Sequence, residues 1–346
     1  MEMRRFKVFT YKFLINILLR WPDAFYAVLF AVVFPVYKAL HKKRAYGRVE
    51  KHLAAAKEYI ARKRVSSNKV PNDEKRPKLA AIAKINARDT FRGIFWNALE
   101  SYRGLARFKS IEKRIVYENE HIIRDAIADC AKQNAPIAGI SIHQGAFELM
   151  HRALCRYSEH VHLITDSVGD IAFREVLKHL RSDPHLTEYH PDETGRLIRE
   201  LFRTKGILAM VIDQGKHTKG NTVSLFGRPS TLYLRLPQKI NEMGAGIVTF
   251  RTWSEKKRIV IRFEKYYPPK YDIQHGDETP ARLYGQSEGN AAPSESALVT
   301  GIAREVETWI AEHPEQWSWN YHGNFTTTLK SNHTPIHEFD STSSRT

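Results

Sequence analysis

The chain is poor in several features that would each have pointed to a function. Only 2 of its 346 residues are cysteine, Cys130 and Cys155, and no C-x-x-C spacing occurs. A disulfide framework and a cysteine-based zinc site are therefore not encoded, and a reducing compartment fits. There is no G-x-x-x-x-G-K-[ST] loop to cradle nucleotide phosphates and no H-E-x-x-H pattern to gather a metal on a helix. Acidic residues are scarce, with 38 Asp and Glu against 54 Lys and Arg, for a net charge of +16. Long apolar runs are scarce too. The uncharged stretch Ala24–Tyr37 has 14 residues, about 21 Å of helix, short of the roughly 30 Å hydrocarbon core of a bilayer.

The excess positive charge is concentrated at the front. Residues 1–64 carry 15 Lys and Arg against 4 Asp and Glu, a balance that suits an anionic membrane surface or nucleic acid. Nucleic acid finds no support beyond charge, since neither zinc spacing nor an RNA-binding motif accompanies it. The membrane does. Phe13–Leu19 is apolar, Trp21-Pro22-Asp23 interrupts, Ala24–Tyr37 follows, and basic residues flank both sides, with Trp21, Tyr26 and Tyr37 placed for headgroup depth. No small-residue cleavage site follows, so a removed signal peptide is a poor fit. The segment reads as a helical anchor lying in one leaflet, bent at Pro22.

With 42% hydrophobic residues the chain can bury a large core. Four regions emerge: a basic membrane-anchoring helical segment over 1–66, a polar linker over 67–78, an α/β domain over 79–326 and a disordered tail over 327–346. In the third, helices are expected at about 79–105, 119–134, 145–157, 170–182, 193–204 and 297–313. Strands are expected at 136–142, 161–165 and 206–212, and residues 268–296 read as a Pro- and Gly-rich loop. Alternation of this kind indicates a mixed, largely parallel sheet flanked by helices. Gly246–Trp253 and Arg258–Tyr266 alternate more regularly, as an antiparallel pair does.

Two apolar strand patterns end in polar signatures. Pro136–Ile142 runs into His143, with Gly145 in the turn and Glu148 five residues after the histidine; Gly206–Ile212 runs into Asp213-Gln214. Ligands of open parallel sheets bind beyond the carboxyl ends of strands, so both signatures stand where a site belongs. His143 has the chemistry of a general base near neutral pH, and Glu148 is placed to orient its ring. The N–H groups near Gly145–Ala146 would face a developing oxyanion. No serine or cysteine occupies the turn, so the nucleophile is expected to be a substrate hydroxyl. Gly139–His143 comes near a G-x-S-x-G elbow, but Ser141 falls inside the strand rather than at the turn, which disfavours a serine-type lipid hydrolase. His160 and His162, two apart on a strand, and the nearby His217 raise a metal site; ordinary surface or core histidines explain them more simply. A non-catalytic membrane-surface protein would account for the anchor but not for two polar strand ends.

HQGAFE (His143–Glu148), VIDQG (Val211–Gly215), VSLFGRP (Val223–Pro229) and HPEQWSW (His313–Trp319) occur in this order. Together they resemble the lauroyl and myristoyl acyltransferases of lipid A biosynthesis, within the wider glycerolipid acyltransferase superfamily, over roughly residues 80–325. The resemblance implies transfer of a fatty acyl chain from an acyl thioester to a lipid or glycolipid hydroxyl at the cytoplasmic face of the bacterial inner membrane. It implies no metal or redox cofactor, with acyl-carrier protein or coenzyme A delivering the acyl group. His143 would be the base and Glu148 its orienting acid, with Asp213, Gln214, Gly145 and Arg228 at the substrate. The family's Tyr-Arg-Pro-like element is replaced here by Thr165–Asp170. Arg174, Lys178 and Arg181, on one face of the next helix, stand in for its arginine, at an acceptor phosphate or an acidic carrier protein.

Overall fold

The computed structural model describes residues 2–67, 81–165, 171–214, 220–255, 257–270 and 297–319. The bulk of the polar linker, all but Thr165 of the segment that replaces the Tyr-Arg-Pro-like element, His217, most of the Pro- and Gly-rich loop and the tail lie outside the described residues.

The centre of the molecule is a seven-stranded mixed sheet in the order β1-β9-β8-β2-β5-β3-β4. Its strands are β1 (Ile115–Glu118), β2 (Ile137–Ser141), β3 (Val161–Ile164), β4 (Leu186–Tyr189), β5 (Ile207–Val211), β8 (Gly246–Glu255) and β9 (Arg258–Tyr267). Every neighbouring pair is parallel except β8 and β9. A separate antiparallel hairpin is made by β6 (Asn221–Leu225) and β7 (Arg228–Leu232).

The central strands are buried on both faces, as parallel strands covered by helices must be, and the two-residue period of a strand sorts their side chains. Ala138, Ile140, Leu208, Met210 and Ile247 enter one apolar cluster. Ile137, Ile207, Ala209, Val248 and Phe250 enter the other. The first is closed by helices that include α8 (Thr194–Thr204), α9 (Arg235–Glu242) and α10 (Ala297–Glu312), together with Trp317 and Trp319. The second is closed by α5 (Glu120–Lys132) and the short α6 (Met150–Leu154).

At the front, α1 (Glu2–Leu18) ends before Arg20–Trp21, and Pro22 caps α2 (Asp23–His41). A π-turn, Lys42–Tyr46, leads into α3 (Gly47–Ser67). The apolar stretch expected to be too short to span a bilayer thus belongs to a continuous helical run, Asp23–Arg62, long and apolar enough to cross a membrane by length and composition. Nor does the front segment stand apart from the α/β unit. Val49, Leu53, Ala56 and Ile60 of α3 are buried in the same cluster as the sheet. The outer side is different. Of twelve large apolar side chains exposed among the described residues, ten lie between Phe6 and Leu40. An eleventh, Ile171, opens α7 (Ile171–Arg181), against which α1 packs.

The helix expected over 79–105 is interrupted: residues 81–84 are helical, the helix breaks at 85–86, and α4 (Ala87–Ala106) starts anew at the reciprocal capping box of Asn86 and Asp89. The helix expected over 145–157 is only a 3-10 turn, Phe147–Leu149, followed by the five residues of α6. Strands β1 and β4 and the β6–β7 hairpin carry too few alternating residues to announce themselves.

Candidate active site

Strand register builds the site. In the β2–β5 pair Ser141 stands opposite Val211. His143 and Asp213 each lie two residues further on, so the parallel ladder delivers them side by side at its carboxyl edge. Asp213 is 1% exposed, and its carboxylate collects three donors. The His143 backbone N–H lies 3.1 and 3.2 Å from its two oxygens, His143 Nδ1 is 2.7 Å from Oδ1, and the Trp317 indole N–H donates to Oδ2 at 3.0 Å. This contact holds the imidazole by Nδ1 and sets the orientation of its ring. Phe147 stands edge-on to the imidazole, with ring centroids 4.5 Å apart.

The turn after His143 is fastened to β8 and to the segment that follows α10. Gly145 has φ +58°, and a Cβ there would come within 2.6 Å of the Thr252 carbonyl oxygen. Its N–H donates to the Gln316 carbonyl at 3.2 Å, while Thr252 Oγ donates to the Gln144 carbonyl at 2.5 Å. Gln144 donates through its amide to the Trp309 carbonyl. The Gln316 side chain pairs with both backbone groups of Ser254, and its carbonyl also accepts from Asn97 of α4 at 2.7 Å. Gly93 of α4 lies so close to Glu315 that a Cβ would sit 1.8 Å from that carbonyl oxygen. Pro314–Trp319 therefore braces the site, with Trp317 bonded to Asp213, and does more than close the core.

Two expectations change. Both oxygens of Glu148 are bonded by Arg181, at 2.6 and 2.8 Å, and the orienting contact on His143 comes from Asp213. The physical reason is the left-handed residue Gly145, after which the chain leads Glu148 toward α7 rather than back over the imidazole. Burial works against the Arg181 charge, but the pull of Glu148 wins and holds its pKa above the usual value. Gly145 is the second change. It is buried with its N–H committed to Gln316, and α6 is too short to aim a helix terminus at the site.

The remaining residues are dispersed. Arg174 and Lys178 are exposed on α7, while Arg181 of the same stripe turns inward. Arg228 pairs with Glu58 of α3 at 3.4 Å, so the FGRP turn docks on that helix, with Tyr59 against Gly227. Gln214 adjoins Asp213 and its amide nitrogen is buried. Ser141 is fully buried within β2, so it is not placed to act as the nucleophile of a G-x-S-x-G elbow. His162 is enclosed by Tyr189 and Thr204, and burial lowers its pKa to about 4. Among the described residues no three His, Cys, Asp or Glu gather into a possible metal site.

His143, Phe147 and Glu148 face a cavity of about 100 Å³. Ile94, Asn97, Ala98, Ser101 and Tyr102 of α4 form one wall, and Gln316 and Ser318 complete it. The volume is well below the roughly 300–1,000 Å³ of sites that enclose a drug-sized ligand, so it is sized for reacting groups.

The model of the bacterial lipid A biosynthesis acyltransferase family matches residues 89–325. The chain belongs to that family. Comparison with curated proteins gives no match. The matched residues of this lipid A acyltransferase family member contain the whole cavity wall, both strand ends and the Pro314–Trp319 brace, whereas α1 to α3 precede them. Membership makes the chain an acyltransferase of the lipid A type.

Proposed function

We propose that the protein moves a fatty acyl chain from an acyl thioester to a hydroxyl of a lipid or glycolipid, with His143 as general base. The observation that carries this reading is the His143–Asp213 pair at the ends of adjoining strands, opening on a cavity with no nucleophilic side chain in the turn. Nε2 takes the proton of the acceptor hydroxyl as its oxygen attacks the thioester carbonyl. Asp213 steadies the imidazolium that forms. Collapse of the tetrahedral intermediate expels the thiolate, which takes the proton back from Nε2. Glu148, charge-paired to Arg181, forms part of the cavity wall without being spent on the imidazole.

The apolar outer side of α1 and α2 supports work at a membrane, which this reading takes to be the cytoplasmic face of the bacterial inner membrane. The basic front suits its anionic lipids. An acyl-carrier protein is the donor that the basic balance favours, with Arg174 and Lys178 as exposed cations for an acidic partner; coenzyme A is the alternative.

The test is mass spectrometry of total lipids from cells expressing wild-type protein or His143→Ala. A lipid that gains one acyl mass with the wild type alone is the expected result, and it names acceptor and chain length together. Identical lipid profiles, with both proteins folded and membrane-bound, would overturn the proposal.

A further inference from the structure

An acyl transfer needs hydrogen-bond donors for the carbonyl oxygen as it becomes an oxyanion, and the donor expected of the turn, the Gly145 N–H, is already given to the Gln316 carbonyl. The Asn97 amide in the cavity wall is likewise given to Gln316. Two other donors in that wall are uncommitted. Ser101 and Ser318 are 1% and 4% exposed, both line the cavity shared with His143, and neither Oγ has a hydrogen-bond partner among the described residues.

Buried hydroxyls are normally satisfied, and a helical serine has a partner within reach in the carbonyl four residues back. Other helical hydroxyls of this chain use it: Thr90 bonds Asn86, Thr204 bonds Glu200 and Thr308 bonds Arg304. Ser101, in the same helix as Thr90, does not. Ser141 and Ser230 are also buried without a partner, but they sit in strands and do not line the cavity, so nothing connects them to a ligand.

We propose that Ser101 and Ser318 bind the thioester carbonyl oxygen and stabilise the oxyanion, an assignment that rests on the acyl-transfer reading above. As the acceptor oxygen bonds to the carbonyl carbon, the π pair moves onto the carbonyl oxygen, which accepts from both Oγ–H groups; rotation about each serine χ1 aims them. When the pair returns, the C–S bond breaks and the hydroxyls are again left over. Neither serine gives up its proton in the cycle.

The experiment uses the full chain in phospholipid vesicles, with an acyl-carrier thioester and the acceptor found by lipid mass spectrometry, comparing wild type, Ser101→Ala, Ser318→Ala and the double variant. Loss of one oxyanion donor is expected to lower kcat about a hundredfold or more, with KM for both substrates little changed and a melting temperature unchanged or raised. A serine that merely packs would show the reverse pattern, with stability moving and kcat holding. Ser101→Cys keeps the shape with a weak donor and should fall between wild type and alanine. Values of kcat within threefold of wild type, or a loss confined to the acceptor KM, would sink the assignment while leaving the function intact. A wild-type protein that transfers no acyl group would overturn both.

Discussion

Replacing Asp213 by Asn separates the orienting role of this residue from that of Glu148. The amide keeps the shape but offers one acceptor where the carboxylate offers two. If its oxygen stays on His143, its NH2 confronts the Trp317 indole N–H, now 3.0 Å from Oδ2. If it flips, the NH2 confronts Nδ1 and the His143 backbone N–H, and the imidazole is driven to the tautomer that carries its proton on Nε2, useless as a base. Either way a buried donor loses its partner, at about 1–3 kcal/mol. The larger effect is on the imidazolium. Removing a unit charge about 4 Å from another, at an effective dielectric near 20, forfeits about 4 kcal/mol, or roughly a thousandfold in rate. Single-turnover acyl transfer, with folding checked by circular dichroism, reads this directly. Glu148→Gln should have a much smaller effect on the rate, because both Glu148 oxygens are held by Arg181 instead. An Asp213→Asn protein within tenfold of wild type, or a larger rate loss in Glu148→Gln than in Asp213→Asn, would refute the reasoning.

Arg181→Met should cost about 3 kcal/mol in urea unfolding by stranding the Glu148 carboxylate, and Arg181→Met with Glu148→Gln should recover most of it; a single variant as stable as wild type would mean the pair is not formed. Gly145→Ala should lower stability by at least about 1–2 kcal/mol from the left-handed backbone alone, with activity lost as β8 shifts away from its carbonyl contact; an unchanged melting temperature and rate would contradict this. Burial holds His162 and His313 at about 4 and His151 well below the usual imidazole value of about 6.5. The unfolded chain therefore binds protons first as pH falls, so stability should be flat above about 6.5 and decline from there toward 4; urea titrations across that range check it, and His162→Gln should reduce the slope. Substituting Phe6, Phe9 and Phe13 by Ser should weaken flotation with anionic vesicles, while equal flotation would place the membrane contact elsewhere.

The site was half legible in the sequence. Each polar strand end can be found locally, because an apolar run followed by His143 or Asp213 needs no partner to be seen. That the two ends meet depends on β2 and β5 being neighbours, which residues 70 positions apart do not reveal. Nearness in sequence makes Glu148 the obvious partner of His143; one left-handed glycine is enough to lead it elsewhere. The long β8–β9 pair announced itself by alternation, whereas β1 and β4, with four residues each, are too short for a period to register. Trp317 was visible as a residue but not as a donor, since an indole N–H finds its acceptor only in three dimensions.

Arg103 has a consequence for handling the protein. From α4, two residues past Ser101, its guanidinium bonds the Leu19 and Trp21 carbonyls and Asp23, and it lies 4.9 Å from the centre of the Tyr26 ring. The helix that walls the cavity is thereby bolted to the turn between α1 and α2. Val49, Leu53 and Ile60 of α3 are buried in the same apolar cluster as the sheet's central strands, and each is worth about 1.5–3 kcal/mol. Trimming the greasy front of this chain to make a soluble enzyme would strip a load-carrying side from the catalytic chamber. The front end is scaffold for the cavity whatever else it does, and a variant that lacks it should be less stable than the full chain.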